Sequence, residues 1–395
     1  MNLDSTPTAV EQPCETGSRR RRLTIGLPRN EEPAERRFPL TPEGAAQLIQ
    51  RGFKVKMQEN AAEPIHYDDA KYIRAGVDIT TRAEALACDI VIHTAPMSLS
   101  DARCLRRGAM LLTLLKAACT DERTLRQLLE RHVITIALDL VEDEKGHTPF
   151  ADILAEIDGR ASIAIASSLL ADSQKGKGIL LGGVAGIVPC ETVIIGSGIA
   201  ACAAARSAVG LGATVRMFDN DVYSLRQASH ELGPWAITSS LHPRTLDNAL
   251  RSADVVVATP TSTPFVLHSD TVKMMKRGVL TFDLTADADG SAFPSMTPID
   301  LALASAVDST LRSENRVCYV RAGSAVARTA SMALTNTLLT LLESIVSCEG
   351  PSNALKLHPG MQKATLTFFG KPVHQRIAAI LHIRSVDISI FLTLS

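Results

Sequence analysis

An α/β chain with two doubly wound parallel-sheet domains is predicted by three observations. First, 395 residues are enough for two domains, and 46% hydrophobic content allows two real cores. Second, apolar runs of strand length alternate with helical stretches through the first half of the chain. Third, residues 192–219, TVIIGSGIAACAAARSAVGLGATVRMFD, read as strand, glycine turn, helix and strand in that order.

The first half supplies the elements of one sheet. Residues 1–22 are polar and read as a disordered leader. Residues 23–27 form a strand, and 41–51 a helix opened by Thr-Pro with Glu next. Residues 53–58 are a second strand, 68–75 a helix, and Ile79 begins a short strand. Apolar runs follow at 90–93 and 109–115, then a helix at 121–131 and a strand at 134–139. Residues 150–170 carry small and apolar side chains at helical spacing and are expected to cross between domains. Five glycines between 176 and 186 make the next segment a bend.

The 192–219 unit has a physical logic. Gly196 permits the tight turn, and Gly198 lets backbone approach a pyrophosphate. Ala201 lets the helix pack on its strand. The helix N-terminus offers free N–H groups and partial positive charge. Asp219 falls about 20 residues on, where a carboxylate accepts from ribose hydroxyls. That acid repels a 2′-phosphate, and no basic residue follows it at once, so NAD is favoured over NADP. The nucleotide domain is expected to span 166–324. Residues 325–350 read as a long helix, and 363–394 as a hairpin-like segment, TLTFFGKPV, and a helix. Residues 325–395 are expected to complete the 23–165 domain and close a cleft between the two.

Composition excludes several classes. A net charge of −1 gives no electrostatic case for nucleic acid. No apolar stretch approaches the roughly 20 residues of a spanning helix. The basic run at 19–22 has no apolar core beside it, so it is not a secretory signal. Eight cysteines show no CxxC pairing and no metal-ligand spacing, which suits reduced thiols in a cytoplasmic protein. No metal site is expected.

Five motifs in order carry a resemblance: IGLPRNEEPAERRFPLTPEG (25–44), GKGILLGGVAG (176–186), GSGIAACAA (196–204), DLTADADG (283–290) and ARTASMALTN (327–336). Together they resemble the alanine dehydrogenase and nicotinamide nucleotide transhydrogenase α-subunit family. The resemblance implies two Rossmann-like domains with the active site in the cleft between them, and hydride transfer with NAD. A small-molecule substrate and a homo-oligomer are expected, with no nucleic acid and no membrane span.

By motif position, Arg37 matches the arginine that holds the substrate carboxylate, and a guanidinium fork suits that task. Asp287 matches the acidic residue near the nicotinamide. Three positions depart from the family pattern. The lysine pair after the 90–93 strand reads His93-Thr94-Ala95-Pro96. The acid/base histidine is replaced by Lys116, in LTLLK. The asparagine before the 327 helix becomes Arg321. Lys116 follows an apolar run, so burial is expected to fit it for proton transfer, with carboxylate binding as its other reading. His93 is an alternative base or a structural histidine. A cleft lined by Arg37, Lys116 and Arg321 suggests an amino acid, imine or secondary-amine dicarboxylate, as in opine-type chemistry, and poor oxidation of alanine. Two other readings stay open: transhydrogenase α-subunit-like hydride transfer, and a non-catalytic NAD-binding regulator.

Overall fold

The computed structural model describes residues 22–174, 176–285, 290–303, 317–347 and 351–393. Residues 1–21 of the expected leader and Asp287 lie outside the described residues.

Eight strands form the first sheet, six of them from the first 140 residues: β1 (Thr24–Leu27), β2 (Lys54–Gln58), β3 (Asp78–Thr80), β4 (Ile90–Ile92), β5 (Met110–Thr113) and β6 (Ile134–Ala137). These six are parallel, in the order β6-β5-β4-β1-β2-β3. The second sheet holds β7 (Glu191–Ile195), β8 (Thr214–Phe218), β9 (Ala236–Ser239), β10 (Val255–Ala258), β11 (Leu280–Asp283), β12 (Thr297–Asp300) and β13 (Val317–Val320). Its order is β12-β13-β11-β10-β7-β8-β9, parallel throughout. The chain then returns to the first sheet with β14 (Thr365–Phe368), antiparallel to β6, and β15 (Lys371–Pro372) at the edge.

Strand composition explains the layering. Strands β1, β4, β5 and β6 are nearly all aliphatic and buried on both faces, as parallel strands under helices must be. One face packs against the helix Ala327–Ser347 through Leu334, Leu338, Leu342 and Ile345. Their spacing places them along one helical stripe, and each such buried side chain contributes about 1.5–3 kcal/mol. The second sheet buries Ile194, Val257 and Phe282 under the helices Pro149–Ala171 and Ile199–Gly210.

The 41–51 helix is observed as Pro42–Gln50, with Thr41 accepting the Gly44 N–H in its cap. Two strand ends differ from expectation. The 109–115 run stops at Thr113, and Leu115–Ala118 is a short helix. Asp139 Oδ1 accepts the Leu115 N–H at 2.8 Å, which supplies the first N–H of that turn with a partner. The 134–139 run stops at Ala137 and turns through Leu138–Leu140.

Candidate active site

Each sheet has a point where chain order reverses. In the first sheet the chain winds outward from β1 to β3 and resumes at β4 on the other side of β1; in the second, it resumes at β10 on the other side of β7. Ligand crevices in open α/β sheets form at such points, beyond the strand C-termini. Here both points feed one cavity of about 370 Å³. The loops after β1 and β4 bring Arg37, Thr94 and Pro96 to it, and the regions after β7 and β10 bring Ala200 and Pro260. Lys116, after β5, and Arg321, after β13, also line it.

The glycine turn fits a dinucleotide. Gly196 has φ +104°, and a Cβ there would stand 2.1 Å from Thr259 Oγ1. At Gly198 a Cβ would meet nothing within 4 Å, so that side of the turn is open to a ligand. Gly198 caps the 199–210 helix without a side-chain bond to its first N–H groups, which suits an anion. Ala201 is fully buried against the sheet. Asp219 stands at the end of β8, only 4% exposed. Its Oδ2 accepts from the Ser197 hydroxyl at 2.7 Å and its Oδ1 from the Asp221 N–H at 3.1 Å. The acid is thereby held beside the glycine turn. These residues would hold the adenosine ribose and pyrophosphate of NAD.

Arg37 is held by a neighbour. Glu35 accepts from Arg37 Nε at 2.8 Å and from Nη2 at 2.5 Å, and both side chains line the cleft. Asn30 ties this loop to the one after β4, donating to the Arg37 carbonyl at 2.8 Å and to Thr94 Oγ1 at 3.2 Å. Arg321 adopts a left-handed conformation, φ 57° and ψ 44°, and its Nε lies 3.4 Å from Asp300 Oδ2.

Lys116 reaches the cleft, but the burial expected for it is not found: it is exposed. The physical reason is the turn at Leu115, which lifts the residue out of the strand. His93 is 2% exposed and does not line the cavity. Its Nδ1 bonds the Ala95 carbonyl at 2.7 Å, and Nε2 is buried as well. Burial holds this imidazole below its usual pKa, so it is packed as the neutral ring.

Sequence reasoning gave no role to Asp139 or Asp158, and both line the cleft. Burial pushes the Asp139 carboxyl above its usual range, with Arg37 acting against that shift. A signal for Asp139 was present, since an acid at the C-terminus of a parallel strand is placed where ligands bind. Asp158 gave none, as one acid within a helical stretch reads as a solvated face. Among the described residues no His, Cys, Asp and Glu cluster has the makings of a metal site, and no helix is long and apolar enough to cross a membrane.

Comparison with known proteins agrees with this architecture. Residues 26–157 match the alanine dehydrogenase/PNT N-terminal domain and 162–375 the alanine dehydrogenase/PNT C-terminal domain. The chain is 28% identical over 382 residues to an alanine dehydrogenase of Mycolicibacterium smegmatis, covering 94% of this chain and all of that protein. It is 29% identical over 367 residues to an alanine dehydrogenase of Mycobacterium tuberculosis, covering 90% and 96%. Among solved structures, an L-alanine dehydrogenase shares the fold at TM-score 0.79 and 24% identity, with 91% of this chain and 99% of that one covered. A transhydrogenase from Sinorhizobium meliloti does so at TM-score 0.72 and 19% identity, covering 89% and 99%. The chain therefore has a two-domain Rossmann-type fold and belongs to the alanine dehydrogenase/PNT family of NAD-dependent dehydrogenases.

Proposed function

We propose that the cleft exchanges hydride between NAD and an amino acid or its imine, with the substrate held between Arg37, Lys116 and Arg321. The observation that carries this is the convergence of those three cations with Ala200 and Pro260 of the nucleotide side on one cavity. NAD, when bound, supplies the hydride acceptor or donor at its nicotinamide ring. Arg37 binds the substrate carboxylate, oriented by its pairing with Glu35. Lys116, exposed at the cleft, is assigned the proton at the reacting nitrogen by its motif position and its place in the lining, not by burial. Asp139 positions the turn that carries Lys116, through the Leu115 N–H. His93 shapes the β4 loop through the Ala95 carbonyl rather than acting as a base. Asp287 remains assigned by motif position alone.

The charge of the cleft bears on substrate class. Arg37 faces Glu35 and Arg321 faces Asp300, and Glu32, Asp139 and Asp158 also line the cavity. This offsets the positive surplus that pointed to a dicarboxylate, and supports a substrate with one carboxylate. The replacement of the family's histidine by Lys116 still favours a substrate other than alanine. We assign residues 23–165 with 325–395 to the substrate half and 166–324 to the NAD half, in a cytoplasmic homo-oligomer.

Transhydrogenase-like transfer to NADP and a non-catalytic NAD-binding role are the competing readings. The test is NADH oxidation with ammonium and a panel of 2-oxo acids, beside amine and 2-oxo acid pairs. Turnover with any 2-oxo acid removes the regulator reading. Hydride transfer to NADP on a partner, with no 2-oxo acid turned over, would favour the transhydrogenase reading instead.

A further inference from the structure

The helix Pro149–Ala171 presents Ala151, Leu154, Ala155 and Asp158 to the cleft, at the spacing of one helical face. Asp158 is the charged member of that face. Its Oδ1 accepts the Gly323 N–H at 2.6 Å, two residues after the left-handed Arg321. Gly323 has no side chain to keep them apart, and a Cβ there would lie 2.3 Å from Asp158 Oδ1. The Ser324 N–H in turn donates to the Arg321 carbonyl at 3.1 Å. A left-handed conformation is unfavourable for a residue with a Cβ, so it persists only where its surroundings hold it. Asp300 on the guanidinium and Asp158 on the backbone that follows both do so here.

We infer that Asp158 is a positioning residue, fixing the 321–324 turn so that Arg321 presents its guanidinium to the substrate anion. This rests on the proposed reading of Arg321 as an anion-binding group. The carboxylate acts through the Gly323 amide, so its acceptor oxygen matters more than its charge.

The experiment is steady-state reductive amination, with ammonium, of the 2-oxo acid that the panel above turns over fastest, beside NADH titration and backbone amide exchange of the full chain. Asp158→Ala should raise the KM for that 2-oxo acid at least tenfold, with kcat within threefold and NADH affinity within twofold. Asp158→Asn keeps an Oδ1 acceptor and should stay within threefold of the parent. In an Arg321→Ala background, Asp158→Ala should add nothing further. Amides 322–325 should exchange faster in Asp158→Ala and not in Asp158→Asn, a readout that needs no turnover. If Asp158→Ala does not fold, Asp158→Ser, whose hydroxyl is too short to reach, takes its place. An unchanged KM, an Asn variant as impaired as Ala, multiplying KM effects of the two sites, or unchanged amide exchange would each overturn the inference. A silent Arg321→Ala in an enzyme that turns over that 2-oxo acid sinks the reading of Arg321 itself, and the inference with it.

Discussion

Glu35 grips Arg37 along the Nε–Nη2 edge of its guanidinium, two residues away in the chain and at the wall of the cleft. A flexible side chain is thereby set in one orientation before any substrate arrives, and that preorganisation reduces the entropy lost on binding. Only a planar fork can serve Glu35 and a substrate carboxylate at once.

Arg37→Lys should therefore lower kcat/KM at least tenfold, because an ammonium is a point charge without the fork. NADH affinity should be unchanged. Steady-state kinetics with the best 2-oxo acid checks this, and near-parent turnover would move the carboxylate site to Arg321.

Asp219→Ala takes away the carboxylate that we propose accepts from the adenosine ribose. NADH binding should weaken by about 1.5–3 kcal/mol. Calorimetric titration measures it, and tighter binding of NADPH than NADH by the parent would reverse the choice of cofactor.

Lys116→Met should reduce kcat by about 10² or more, the lower end of what general acid–base catalysis contributes. Lys116→His should raise alanine oxidation above that of the parent. Robust alanine turnover by the parent would show that the lysine does not redirect specificity.

His93 makes stability depend on pH. Burial holds its folded-state pKa below the usual 6.5, with Arg82 also lowering it and Asp101 opposing. Above pH 6.5 both folded and unfolded chains carry the neutral ring, and the group contributes nothing. Below it the unfolded chain takes up a proton that the folded chain refuses, so stability falls with pH. Between pH 7.5 and 5.5 His93→Asn should lose less stability than the parent. Denaturant melts at the two pH values decide it.

Gly159 lies against the nucleotide helix, where a Cβ would stand 2.1 Å from the Ala200 carbonyl. Gly159→Ala should destabilise by about 1–3 kcal/mol through overpacking. A denaturation midpoint equal to the parent's would show that the two helices can move apart without penalty.

The parts of this molecule that were legible in the sequence are those fixed by neighbours along the chain. The β7–β8 unit announced itself because the glycines, the helix and Asp219 form one local pattern. Arg37, Lys116 and Arg321 were placed by motif and strand-end position, and all three do line one cavity. What escaped was set by distant partners. The pairing of β14 with β6 joins residues 365 and 136, and no local signal marks it. The exposure of Lys116 depends on Asp139 receiving an N–H from a different loop. The grip of Glu35 on Arg37 depends on side-chain rotamers, although both residues stand in the recognised motif.

Asp158 and Gly159 are adjacent, yet one answers to the cleft and the other to the nucleotide helix. Successive residues of a helix point about 100° apart, so one residue inserted or deleted between Pro149 and Asp158 would swing both away from their tasks together. A change of length outside this helix leaves that phase intact, and among the described residues of 172–190 there is one isolated bridge and no regular element to disturb. Relatives of different length should differ there and keep the phase of residues 149–171.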